Sequence, residues 1–160
     1  MRVRYRRDRE GRTDYKRRLT LLRSAEPRLT VRRTLNNIIV SVVSFNPDGD
    51  KVETTVHSAT LKKHGWTHST GNIPAAYLTG FLAGKAAKEK GVTKAILDIG
   101  RTAPIKGGRV FAALKGALDA GLEIPHGEDA LPSEERLRGE HIKAHLGTDV
   151  SADVKKITGA

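Results

Sequence analysis

The chain has 160 residues, a net charge of +11 and no cysteine. That length fits one domain with room for an added arm. The missing cysteine excludes disulfides, thiolate zinc sites and cysteine nucleophiles. The charge is concentrated: residues 1–33 hold twelve arginines and one lysine against four acids, +9 of the total, and the other 127 residues carry only +2. Such a segment repels itself, and its natural complement is a polyanion. The bias toward arginine points to nucleic acid, because guanidinium forks grip phosphate bidentately and stack on bases.

Residues 1–11 have almost no apolar side chains beyond Val3 and Tyr5, which predicts disorder in the absence of a partner. No apolar run follows the arginines, so they do not read as a secretory leader. Asp8, Glu10 and Asp14 are out of place in an Arg-rich transit peptide, which is poor in acids. Thr13 or Asp14 is positioned to cap a helix running to about Ser24. Tyr15, Leu19 and Leu22 form its narrow apolar stripe, with Lys16, Arg17 and Arg23 off that stripe and free for phosphates. Pro27 ends the helix by forcing its predecessor out of the helical region.

Residues 28–33 alternate, with Leu29 and Val31 on one side and Arg28, Thr30 and Arg32 on the other, the signature of a strand with one buried face. Residues 34–37 read as a turn. Residues 38–45 are apolar on both parities, which predicts a central strand buried on both faces. Asn46, Pro47, Asp48 and Gly49 make a hairpin turn rather than a calcium loop, and residues 52–58 form the return strand with Val52, Thr54 and Val56 on one side. Residues 60–64 allow at most one helical turn, and Trp66 is expected to anchor the loop 65–71.

Asn72 is a good N-cap, with Pro74 in the first turn, for a helix to about Lys90 that closes at Gly91. The apolar-leaning run 73–87 inside it is broken by Thr79 and Lys85 and falls short of the roughly 20 residues a membrane span needs. A strand at 94–100, a loop at 101–108 and a helix at 109–120 follow. Residues 122–132 read as loop, Ser133 caps a helix over 134–146, and 148–160 is polar and expected to fray. Strands followed by alternating helix and strand define an α/β fold, a mixed sheet covered by helices. The chain therefore divides into a basic arm with a short helix (1–24), an α/β body (25–146) and a polar tail (147–160).

No catalytic set emerges. The loop 100–109 lies where α/β proteins hold phosphate, but its order of Lys106, Gly107, Gly108 and Arg109 matches neither a Walker loop nor a dinucleotide fingerprint. His141 and His145 stand four apart with no third metal ligand, and His57 and Ser58, adjacent on a strand, point to opposite sides. No metal or cofactor is expected.

The stretches Arg28-Leu29-Thr30-Val31-Arg32-Arg33, Thr70-Gly71-Asn72-Ile73-Pro74, Leu97-Asp98-Ile99-Gly100 and Ala117-Leu118-Asp119-Ala120-Gly121-Leu122-Glu123-Ile124-Pro125-His126 together resemble the family of large-subunit ribosomal proteins that binds 5S ribosomal RNA, numbered 18 in bacterial naming. The arginine-rich arm and the Thr-Gly-Asn-Ile-Pro stretch look like its archaeal branch, whose eukaryotic cytosolic counterpart is numbered five. The resemblance implies an α/β structural protein of the cytoplasmic ribosome, a monomer there. It would dock 5S rRNA into the central protuberance, with its arm reaching toward the large rRNA and with neighbouring ribosomal proteins as further partners. The implied RNA contacts are Arg2, Arg4, Arg6, Arg7, Arg9, Arg12, Tyr15, Lys16, Arg17, Arg18 and Arg23 in the arm. On the body they are Arg28, Arg32, Arg33, Asn36, Asn37, His57, Ser58, Thr70, Gly71, Asn72, Arg101, Lys106 and Arg109. Relatives often carry lysine or histidine at the turn where this chain has Asn36 and Asn37, so contact there is expected to be weaker or to read sugar and base edges. Two rival readings are a non-specific cationic nucleic-acid chaperone and an α/β enzyme using the loop 100–109 for a phosphorylated ligand.

Overall fold

A computed structural model describes residues 3–159. Arg2, one of the expected contacts, lies outside the described residues. The arm contains α1 (Arg6–Arg9) and α2 (Tyr15–Leu22). The body begins with β1 (Arg28–Arg33), β2 (Ile38–Ser44), β3 (Lys51–His57) and a 3₁₀ segment (Ser58–His64). It continues through α3 (Ile73–Glu89), β4 (Ile96–Asp98), α4 (Arg109–Asp119) and a short 3₁₀ turn (Glu128–Ala130). The chain then forms α5 (Glu134–Arg138), α6 (Glu140–Leu146) and α7 (Ser151–Thr158).

The four strands form one mixed sheet in the order β3-β2-β1-β4, antiparallel except for the parallel pair β1 and β4. The inward set Leu29, Val31, Ile38, Val40 and Val42 packs beneath α3 and α4 in the main core. The two helices approach each other through glycine: a methyl group at Gly80 would overlap the carbonyl oxygen of Ala113, and one at Gly116 that of Tyr77. Alanines at 76, 83, 113 and 117 complete this flat, close interface.

Several expectations change. β2 is interior in the sheet, yet Ile39 and Ser41 on its outer parity are only half-buried, because the short α2 reaches only the end of that side near Arg28 and Val43, whereas α3 and α4 cover the other. Val52 turns outward and is 56% exposed, because a register shift pairs Val42 with Thr54 but Val43 with Val52. The extra residue bends the strand and moves Val52 off the core parity. The helix expected over 134–146 breaks at Gly139, whose φ of +81° ends α5 and starts α6. A side chain there would also press on Pro74 and Val150.

The tail does not fray. Val150 and Val154 at α7 join Leu61, Trp66, Ala75 and Leu78 in a second apolar cluster. His68 reaches Asp153 at 3.2 Å across the same junction. Trp66 is 2% exposed, and its indole N–H donates to the Ser69 carbonyl at 3.1 Å, so it anchors the loop as expected. Residues 3–11 are not formless either. They make α1 without burying any side chain of it, using ties such as Arg7 Nε to Thr13 Oγ1 at 3.1 Å.

Candidate nucleic-acid interface

Asp14 caps α2 by accepting the Arg17 N–H at 3.0 Å. The expected apolar stripe is out of phase, for Leu19 is 59% exposed and it is Arg17, Arg18 and Leu21 that face the sheet's outer side. The cause is polar. Arg18 forks onto both oxygens of Asp50 at 2.8 Å, and Arg17 donates to the Gly100 carbonyl at 3.1 Å. Such charged bidentate bonds outweigh the contact of one leucine.

Beneath α2 lies Arg28, only 3% exposed. Its Nη2 donates to Asp50 at 2.6 Å and its Nη1 to Asp98 at 3.2 Å. Arg28 is thus no RNA contact: both terminal nitrogens are engaged by carboxylates in the interior. Burial works against the ionised form of Asp50, but the hydrogen bonds from Arg18 and Arg28 prevail and hold its pKa below 3.8. Asp98 also accepts the Gly100 N–H at 2.8 Å, so it shapes the start of the loop after β4. Arg32 is half-exposed, with Nη1 donating to the Asp98 carbonyl at 2.7 Å and its Nη2 lying 3.2 Å from the Asp98 carboxylate.

Ser58 is also corrected. It is fully buried, accepts the Ile38 N–H at 3.0 Å and donates to Asn37 Oδ1 at 3.3 Å. Asn37 Oδ1 takes the Thr70 hydroxyl as well, at 2.7 Å, so Asn37, Ser58 and Thr70 join the β1–β2 turn to the loop ahead of α3. Their polar atoms face one another, leaving Asn36 as the exposed amide of the pair. Asn72 caps α3 through the Ala75 N–H at 2.8 Å. His57 Nδ1 accepts the Ala59 N–H at 3.0 Å, which leaves Nε2 free to contact a ligand.

The remaining expected residues gather around two clefts. One, beside α2, brings together Arg7, Arg12, Arg17, Arg18 and Arg32. The other, at the start of α4, brings together Arg33, Asn72, Lys106 and Arg109. Successive residues of β1, Arg32 and Arg33, line one cleft each, because alternation along the strand sends them to opposite sides of the sheet. Arg101 lies 3.8 Å from Asp8, linking the arm to the same loop. Arg109 donates to the Gly71 carbonyl at 3.0 Å, which places Gly71 at this edge. Arg4, Arg9, Lys16 and Arg23 are exposed on the arm but line neither cleft, and Arg6 pairs with Glu10 at 3.5 Å. Tyr15 packs against Tyr5 with ring centroids 5.0 Å apart and planes tilted by 51°, forming an aromatic pair among these arginines.

Sequence reasoning missed Arg136 and His141, which line the second cleft from α5 and α6. No local pattern marks them, since only the tertiary fold carries those helices to the loop. Among the described residues no group of three potential metal ligands assembles, and no helix is long and apolar enough to cross a membrane.

This is a basic α/β protein whose cations gather in two clefts. The family described as ribosomal large subunit proteins 60S L5, and 50S L18, matches residues 1–90 and 83–127. The large ribosomal subunit protein uL18 of Korarchaeum cryptofilum is 55% identical over 140 residues, 88% of this chain and 72% of its own length. The protein of the same name from Methanoregula boonei is 51% identical over 160 residues, 99% of this chain and 92% of its own length. That of Methanothermobacter thermautotrophicus is 48% identical over 152 residues, 95% and 79% respectively. The chain belongs to this family of large-subunit ribosomal proteins, a structural and non-enzymatic one whose place is the ribosome.

Proposed function

We propose that this protein binds 5S rRNA and helps attach it to the large rRNA in the central protuberance. The observation that carries the reading is the pair of basic clefts at the end of β1, one lined by Arg32 with arginines of the arm, the other by Arg33 with Lys106 and Arg109. Phosphate contacts from such clefts position a folded RNA by shape. The arm, tied to the body through exposed polar contacts, is free to exchange them for phosphates, with counterion release favouring the exchange. Family membership supports a ribosomal RNA as the ligand.

The test is competition at about 0.2 M salt between matched 5S rRNA and an unrelated structured RNA of equal length. A preference of about a hundredfold or more supports the reading. Equal binding overturns it in favour of a general cationic chaperone.

A further inference from the structure

The cleft at the start of α4 is more than a strip of phosphate contacts. It encloses about 390 Å³, within the range of small-ligand sites. Five basic side chains line it: Arg33 from β1, Lys106 from the loop, Arg109 from α4, Arg136 from α5 and His141 from α6. No carboxylate is in the lining. Among the described residues Arg33, Lys106 and Arg136 form no ion pair, whereas their neighbour Arg138 is paired with Glu134 at 2.9 Å. Four elements thus deliver cations to one concavity with no carboxylate in its lining, an arrangement that repels itself until an anion enters. Desolvation, helped by the charge of Arg136, keeps the His141 imidazole below its ordinary pKa, so it presents a neutral ring here.

The lining also includes the aliphatic side chains of Ile73, Ile105 and Val110, of which Ile105 is 57% exposed. A lone phosphate uses only the cations, whereas a nucleoside phosphate uses both sets, its base lying on the aliphatic side chains and its phosphate among the guanidinium groups. α4 adds to this, for no side chain caps its first turn at Gly108.

We propose that this cavity takes a single nucleoside phosphate, and that in the assembled particle its source is one residue of the bound RNA turned out of its stack. This rests on the RNA-binding reading for the source of the nucleotide, but not for the cavity itself. It gives α5 and α6 a role in recognition through Arg136 and His141.

The probes are 5′-AMP, adenosine and inorganic phosphate, each titrated into the isotope-labelled full chain and followed by amide NMR. 5′-AMP is expected to shift residues 105–111 and 141 and to bind about tenfold more tightly than phosphate or adenosine. Arg136→Ser, an exposed position, is expected to weaken 5′-AMP about tenfold with an unchanged melting temperature. Ile105→Ser provides a second variant and is expected to weaken 5′-AMP but not phosphate. Equal binding of 5′-AMP and phosphate, or indifference to both substitutions, overturns the nucleotide site even if 5S rRNA binds well. A fluorescent AMP analogue separates the two sources. Its displacement by 5S rRNA supports an RNA residue in the cavity, and simultaneous binding of both overturns that source. Loss of 5S preference with 5′-AMP binding intact overturns the RNA reading and leaves the cavity as a nucleotide site.

Discussion

At Arg28 a buried guanidinium is held by Asp50 and Asp98, with Arg18 and Arg32 bonded to the same two carboxylates from the more exposed side. The energetics of such a cluster are asymmetric. Asp98→Ala leaves a buried charge short of a partner and is expected to cost about 3 kcal/mol, read by chemical denaturation. Arg28→Met leaves each carboxylate one remaining arginine and is expected to change stability by less than about 1 kcal/mol. It should also leave RNA affinity within twofold, and a tenfold loss without loss of stability would return Arg28 to the interface. Asp50 adds a pH dependence. Its folded pKa is below 3.8, so its contribution is complete above that value and is lost as the pH falls through the lower, folded value. Asp50→Asn is expected to flatten the acid limb of the stability curve below about pH 4. The alternation over residues 28–33 placed Arg28 on the outer side correctly, but burial on that side depends on α2 and on an aspartate 70 positions away, neither of which a periodicity conveys.

Among the elements, the interface of α3 and α4 tolerates least. Gly80→Ala or Gly116→Ala forces a methyl group against backbone that cannot yield as a side chain does. Each is expected to cost roughly 3 kcal/mol or more, seen as a lower melting temperature. Asn72, Pro74 and Gly91 made the ends of α3 legible in the sequence. The last helices were less so. Gly139 lies inside an otherwise continuous helical pattern, and only its packing against Pro74 and Val150 shows why the chain turns there. α7 is polar by composition, yet two valines suffice to cover Trp66 and Leu61. Val154→Asp is expected to expose that cluster, shifting Trp66 emission to longer wavelength and lowering stability by about 2 to 4 kcal/mol.

At the scale of the whole molecule, charge is partitioned from packing. α1 buries no residue, so removing residues 1–12 is expected to leave the melting temperature of the body unchanged within a few degrees. The same deletion removes six arginines and two acids. It is expected to weaken RNA binding and to flatten the slope of log affinity against log salt by about 3, measured by filter binding from 0.1 to 0.4 M salt. A deletion that unfolds the body would mean the arm is part of the fold rather than a ligand-binding extension. Composition alone exposed this division, because nine of the eleven net charges lie in the first 33 residues. It could not show that residues 6–9 are helical or that α2 is tied to the body, because the ties of Arg7, Arg17 and Arg18 are made with partners chosen by the tertiary structure.

The parallel pairing of β1 with β4 also sets an order of events during synthesis. β1, β2 and β3 can pair as an antiparallel meander soon after they emerge, but β4 joins only after α3 has been made. Until then Arg28 has Asp50 and lacks Asp98, and the edge of β1 stays open. Long-range pairings of this kind are slow to form and leave nascent chains prone to association. The arm, with most of the net charge, is meanwhile complete and able to hold polyanions. A chain halted before residue 98 would therefore be sticky toward RNA yet unable to select one, which makes prompt completion of the sheet a condition of fidelity as well as of stability.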